Sequence, residues 1–404
     1  MSESAISEMP AALRRRREYA GPVLFSYGFR PFFLGGALWA ALGIFLWLPQ
    51  YFGEWSLPTA FALIDWHIHE MLYGYVAAIV TGFLLTAIPN WTGRFPVNGW
   101  PLAGLAALWL AGRIAIAGSA IWDLRLAAVV DVAFLTALAA VAAREIVAGR
   151  NWRNLRVLVI LGILIGGNVA FHLEVIARGR AEFGIRIGIA AAIGLIMLIG
   201  GRIIPSFTHN WLVRKNPGRL PQSFSRFDAL ALGMSALALI MWIGMPQRAV
   251  SGVALMIAGV LQAVRLARWA GDRTFGERLV LVLHVGYSFV PIGFVLLAAA
   301  ILWPSQAPAS AGLHAWTAGA IGLMTLAVMT RASLGHTGNE LVASLPTQLI
   351  YLCALIAACA RIHAAFEPSS VALHIAAIAW VAAFGGFAVI FGPLLTGLRS
   401  RKRG

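Results

Sequence analysis

Trp66-His67-Ile68-His69-Glu70 opens an apolar run that ends at Pro89 and is followed by Asn90-Trp91-Thr92-Gly93-Arg94. The run is long enough to cross a bilayer as a helix. A plain anchor has no use for two imidazoles and a carboxylate at its mouth, or for a polar, glycine-containing corner at its end. Ionisable groups at membrane depth point to a site. The fold turns on how many such runs the chain has and which side each histidine reaches.

Of the 404 residues, 60% are hydrophobic and only 12% charged, with a mean hydropathy of +0.80. A soluble chain of this length cannot hide that much apolar surface. The sequence predicts an all-α polytopic membrane protein. Twelve spans are legible, at about 31–49, 66–89, 101–120, 124–147, 155–177, 185–205, 227–245, 249–269, 279–303, 312–332, 346–366 and 370–394. Pro, Gly and charge cluster at the breaks, as at Pro49, Pro58, Gly149-Arg150-Asn151 and Pro217-Gly218. Residues 23–396 are expected to form a single membrane domain between an N-terminal tail, 1–22, and a basic C-terminal tail, 397–404.

The net charge of +15 is carried between spans, so it speaks for orientation rather than for nucleic acid. With the N-terminus inside, 22 of the 31 Lys and Arg residues fall in the tails and the even-to-odd connections, and six fall on the opposite side. Both termini are therefore expected to be cytoplasmic. Arg14 to Arg17 mark the first tail as cytoplasmic rather than as a cleavable leader. The longest connection, about 206–226, lies inside. Cys353 and Cys359 share one helix, six residues apart and pointing in different directions, and read as small core residues. Nucleotide loops, nucleophile elbows and cysteine-based metal spacings are not seen.

Orientation sorts the nine histidines into layers. His67, His69, His172 and His314 lie near the outer face, with His363 and His374 at the ends of spans 11 and 12 as interfacial caps. His209, His284 and His336 lie near the inner face. His314 and His336 are 22 residues apart, about 33 Å along a helix, so one site cannot use both. Histidine-held cofactors would thus occupy two sites, one near each face. On a regular helix His67 and His69 diverge by about 200°. His69 shares a face with Tyr73, and His67 with Glu70. A ligating imidazole needs a partner to fix its tautomer. Glu70, Tyr73, Glu174 and Asp65 are outer candidates, and Asn210, Asn339 and Glu340 are inner ones. Asp131 and Asn168 lie within spans, as site groups or as helix–helix hydrogen bonds.

Arg94, Arg202 and Arg331 each close a span before a polar stretch. They read as ordinary inside charge or as receptors for carboxylates such as haem propionates. An internal echo links two spans of the same direction. Counting from His69, Gly74 is at +5, Thr92 at +23 and Gly93 at +24. Counting from His314, Gly319, Thr337 and Gly338 hold the same offsets.

The sequence resembles the NnrS family of bacterial inner-membrane proteins. The resemblance rests on Trp66 to Met71, on Thr81-Gly82-Phe83-Leu84-Leu85-Thr86-Ala87 with Pro89-Asn90-Trp91-Thr92-Gly93, on Gly201-Arg202-Ile203-Ile204-Pro205 with Thr208-His209-Asn210, and on Arg331 to Gly338. It covers essentially the whole chain. It implies twelve spans, bound haem and copper, and a role in nitric oxide metabolism or resistance to nitrosative stress. Our own sorting then assigns metal ligands to His67, His69, His172 and His314. Cofactor-binding roles go to His209, His284 and His336, with Arg94, Arg202 and Arg331 beside them. Glu70, Tyr73, Glu174, Asn90, Trp91 and Asn339 are supporting groups. The propionate argument favours haem inside. The expected partners are the lipid bilayer and nitric oxide. Two other readings fit twelve spans. A proton- or metal-coupled transporter would place Asp131 and Asn168 at a midplane cavity. A membrane sensor of nitric oxide or haem would need more partner surface than the short loops offer.

Overall fold

The computed structural model describes residues 19–215 and 217–398, so most of both tails lies outside the described residues. Among the described residues, twelve helices are long and apolar enough to cross a membrane. They are α1 (Phe29–Tyr51), α2 (Leu63–Thr92), α3 (Gly99–Ala117), α4 (Leu124–Ala148), α5 (Leu155–Arg178), α6 (Phe183–Arg214), α7 (Arg226–Gly244), α8 (Ala249–Ala267), α9 (Arg278–Leu302), α10 (Ala309–Thr337), α11 (Leu345–Phe366) and α12 (Ser370–Thr396). Among the described residues there is no strand. In lipid, a backbone that satisfies its own polar groups has to be helical or a closed barrel. This is a multi-pass membrane protein. We call the face where α2 begins the upper face and the face where it ends the lower face.

Several helices outrun the expected spans because polar side chains bond their own backbone. Thr92 donates to the carbonyl of Ile88, and α2 stops only at Gly93, whose φ of 69° suits glycine. Helix α6 continues through the stretch expected to begin the longest connection. There Thr208 donates to the carbonyl of Ile204 and meets His284 of α9 at 2.8 Å. His209 and His336 are therefore helical rather than just beyond a span. The cysteines correct the sequence reading. They do not bridge, but Cys359 is exposed, and Cys353 is half-buried at the edge of the core rather than inside it.

The helices pack as three successive units of four. The first helix of each unit lies on the last helix of the unit before it: α5 on α4, α9 on α8, and α1 on α12. The second helices, α2, α6 and α10, form the centre and are the most buried of the twelve. Helix α6 touches both others, and Tyr75 of α2 hydrogen-bonds Thr325 of α10.

Each central helix carries a π-helical segment: Glu70–Val76, Ile196–Gly200 and Ala315–Ile321. Such segments are rare and mark functional sites. Those of α2 and α10 start immediately after His69 and His314, and both helices end on a left-handed glycine, Gly93 and Gly338. The echo between these helices thus extends from sequence to backbone. Helix α6 shares its lower half: Ile88-Pro89-Asn90-Trp91-Thr92 matches Ile204-Pro205-Ser206-Phe207-Thr208.

Candidate metal centre and cavities

Asp65, Trp66 and His69 are buried where α2 enters the bundle. The segment is already helical, so His67 and His69 point apart. His67 stacks on Trp47 of α1, with centroids 4.4 Å apart. His69 turns toward α4 and α5. Its Nδ1 lies 2.9 Å from Glu70 Oε1, and its Nε2 lies 3.2 Å from Asp131 Oδ2. His172 of α5 brings its own Nε2 to 3.1 Å from the same oxygen. Asn168, one turn earlier on α5, donates to it at 2.8 Å. His69, Asp131 and His172 offer one ligand atom each, all within 4.8 Å of one another, and all three residues are buried.

Arg113 of α3 ties the cluster together. It donates to both oxygens of Glu70, at 2.7 and 2.8 Å, and pairs with Asp131. The guanidinium reaches this depth because residue 74, inside the π segment, is glycine. A Cβ there would stand 2.5 Å from Arg113 Nη1 and 2.9 Å from Trp39 Nε1. Phe61 and Phe171 wall the imidazoles, with centroids 5.5 and 5.1 Å from His69.

The donor geometry favours a bound cation. A His69 that donates from Nδ1 to Glu70 presents a lone pair at Nε2, and that nitrogen has no hydrogen-bond partner although it is buried. Facing it is a carboxylate oxygen. The arrangement is repulsive unless the ring is protonated or a metal lies between the two atoms. Charge says the same. Two carboxylates, Glu70 and Asp131, share one guanidinium, and a buried uncompensated charge is costly. Two imidazoles and a carboxylate suit first-row transition metals, and a carboxylate behind a ligating histidine is the usual supporting arrangement.

The other expected groups go elsewhere. Tyr73 packs beside His69 but spends its hydroxyl on Gly184 O of α6, at 2.8 Å. Glu174 caps the start of α6, accepting from the backbone of Glu182, Phe183 and Gly184 at 2.9–3.1 Å. His314 donates from Nδ1 to Ser310 O at 2.6 Å, which leaves Nε2 as its lone-pair nitrogen. His363 and His374 are exposed. Asp131 and Asn168 line neither of the cavities below, where a transporter would have placed them.

At the lower face, a cavity of about 920 Å3 is lined by His209, Arg153, Arg156, Arg202 and Arg265, among others. A second, of about 580 Å3, lies between the lower halves of α2, α6 and α10. It takes in Asn90, Trp91, Arg202, Arg331 and His336. The three inner histidines do not converge. His209 lines the first cavity and His336 the second, against the rings of Tyr27 and Phe29. His284 meets Thr208, and its Nδ1 is buried without a partner. Arg94 is taken by Glu145, at 2.5 Å, and Asn339 bonds Thr337 at the end of α10.

Sequence reasoning left Arg113 out of the site and Asp131 undecided. The signal was present: a charged residue deep in each of two adjacent spans, of opposite sign, is an ion pair awaiting a third group. The family model described as NnrS protein matches residues 23–399. No curated protein matches the chain.

Proposed function

The chain belongs to the NnrS family, and from that premise we propose a haem- and copper-binding protein of the bacterial cytoplasmic membrane that acts in nitric oxide metabolism. The observation that carries the copper half is the approach of His69, Asp131 and His172 around one buried point. A nitrogen- and oxygen-rich donor set of this kind suits Cu(II). Glu70 would hold the His69 tautomer, Arg113 would balance the carboxylates, and Phe61 and Phe171 would keep water out.

Haem fits the larger lower cavity. His209 would serve as axial imidazole, and Arg153, Arg156 and Arg202 as receptors for the propionates. His336 lines the other lower cavity, and His284 meets Thr208, the residue before His209. Bound haem and copper would supply redox-active positions at which nitric oxide binds. The gas partitions into apolar media, so a membrane bundle is a suitable place to meet it.

The test is an optical spectrum and haem and copper quantification on the purified protein beside His69→Ala, His209→Ala and His336→Ala. His69→Ala should lose copper and keep haem. His209→Ala should do the reverse, and His336→Ala should keep both. A wild-type preparation from haem- and copper-replete cells that lacks both groups would end the proposal.

A further inference from the structure

The 580 Å3 cavity sits where the three central helices meet, and its lining repeats from helix to helix. Thr86, Arg202 and Arg331 each stand six residues before a threonine: Thr92, Thr208 and Thr337. One turn further on, Asn90, Ser206 and Gly335 occupy equivalent places, and then come Trp91, Phe207 and His336. Leaving aside the three reference threonines, these nine residues line the cavity. The lower centre of the molecule is therefore one chamber with threefold-related walls, in which two of three equivalent positions are arginine.

Arg202 is exposed and Arg331 half-buried, and the charge of Glu277 reaches Arg331 only from beyond ion-pair distance. Among the described residues neither Arg202 nor Arg331 forms an ion pair. Arg331 is half-buried and rests on the face of Phe207, with Cζ 4.0 Å from the ring centroid. By contrast, the fully buried arginines of the bundle, Arg113 and Arg265, each have a carboxylate. A half-buried guanidinium without a directly bonded carboxylate, facing a cavity beside a second arginine, has room for an anion from outside the chain. The flat fork of donors matches a planar oxyanion.

We propose that this chamber binds a small planar oxyanion of the carboxylate or nitrate type between Arg202 and Arg331. The site is distinct from the His69 cluster near the upper face, and it shares Arg202 with the larger cavity assigned above to haem. The same chemistry could be presented by a propionate of bound haem, and the test separates the two sources.

Full-length protein in neutral detergent is titrated with sodium nitrate or sodium acetate against sodium chloride at constant ionic strength, and thermal unfolding is followed. Haem is quantified on the same samples. Wild type should show a saturable rise in unfolding temperature. Arg331→Gln and Arg202→Gln should each weaken the apparent affinity by about tenfold or more, the loss of one charge-assisted pair. Haem content in Arg331→Gln should be unchanged. If Arg331→Gln does not fold, Arg331→Lys carries the test, since a point charge without the planar fork should bind several-fold more weakly. No saturable response in wild type overturns the proposal. So does an unaltered response in the variants. A loss of haem in Arg331→Gln also overturns it, because the occupant would then be the cofactor's own carboxylate.

Discussion

The rings of His69 and His172 stand edge to face, centroids 5.0 Å apart at 61°, and each turns Nε2 to the same oxygen of Asp131. Asp131 is thus the pivot of the upper site: its charge pairs with Arg113 and, on the proposed reading, would also ligate the metal. Asp131→Asn removes the charge at nearly constant volume. The variant should lose bound copper, measured per mole of folded protein. It should also lose about 3–5 kcal/mol of stability, because Arg113 is left with Glu70 alone. A variant that kept full copper would remove Asp131 from the ligand set.

Gly74 makes a separate test of the π segment. A methyl group at this position meets Arg113 Nη1 at 2.5 Å and Glu70 Oε2 at 3.1 Å. The guanidinium is fixed from both sides, by Glu70 and Asp131, and cannot swing away without breaking a pair. Gly74→Ala should therefore cost about 1–3 kcal/mol, as overpacking of a full core does. It should also lower copper occupancy by displacing Glu70 from His69. Thermal unfolding and metal analysis on the same preparation read both effects. Gly104, inside α3, has open space around it, so Gly104→Ala is the control: it should leave copper unchanged and should not lower stability.

Tyr73 separates proximity from participation. Its ring lies against His69, yet its hydroxyl donates to Gly184 O, binding α2 to α6. Tyr73→Phe should cost about 0.5–1.5 kcal/mol, the net worth of one hydrogen bond, and leave copper content unchanged. A copper-free Tyr73→Phe variant would mean that the hydroxyl turns toward the metal when it binds.

How far the sequence could be read depends on the range of each signal. The twelve spans were legible because apolar length is a local property of the chain. His69 and His172 were legible because an imidazole at membrane depth is rare. Their partner Asp131 was seen but not assigned, since what joins α2, α4 and α5 is packing between helices far apart in sequence. Glu174 was an outer candidate by its depth, and its use is set by the fold: the chain turns back to give it three backbone donors at the start of α6. The threefold arrangement was half visible. The echo between His69 and His314 was noticed, while Ile-Pro-X-aromatic-Thr in α2 and α6 was not, because the match with α10 is interrupted there by Ser333 and Leu334.

Arg265 offers the last prediction, drawn from the second unit. It lies against the π segment of α6 as Arg113 lies against that of α2. A π segment shifts the backbone register and frees a carbonyl from its usual partner. Arg265 Nη1 donates to Met197 O, inside that segment, at 3.1 Å, and also to Tyr287 of α9 at 3.0 Å. Its Nε reaches Asp228 of α7 at 3.2 Å, and its Cζ lies 5.2 Å from the Trp269 centroid. One side chain, 1% exposed, thus joins helices α6, α7 and α9. Arg265→Met keeps the apolar stem and removes every one of these bonds, leaving Asp228 with Arg268 as its remaining basic partner. It should cost about 3–5 kcal/mol, read as a lowered unfolding temperature. Copper content per folded molecule should stay at the wild-type level, because the His69 cluster, on α2, α4 and α5, shares no partner with Arg265. A parallel fall in copper would mean that the two π segments move together.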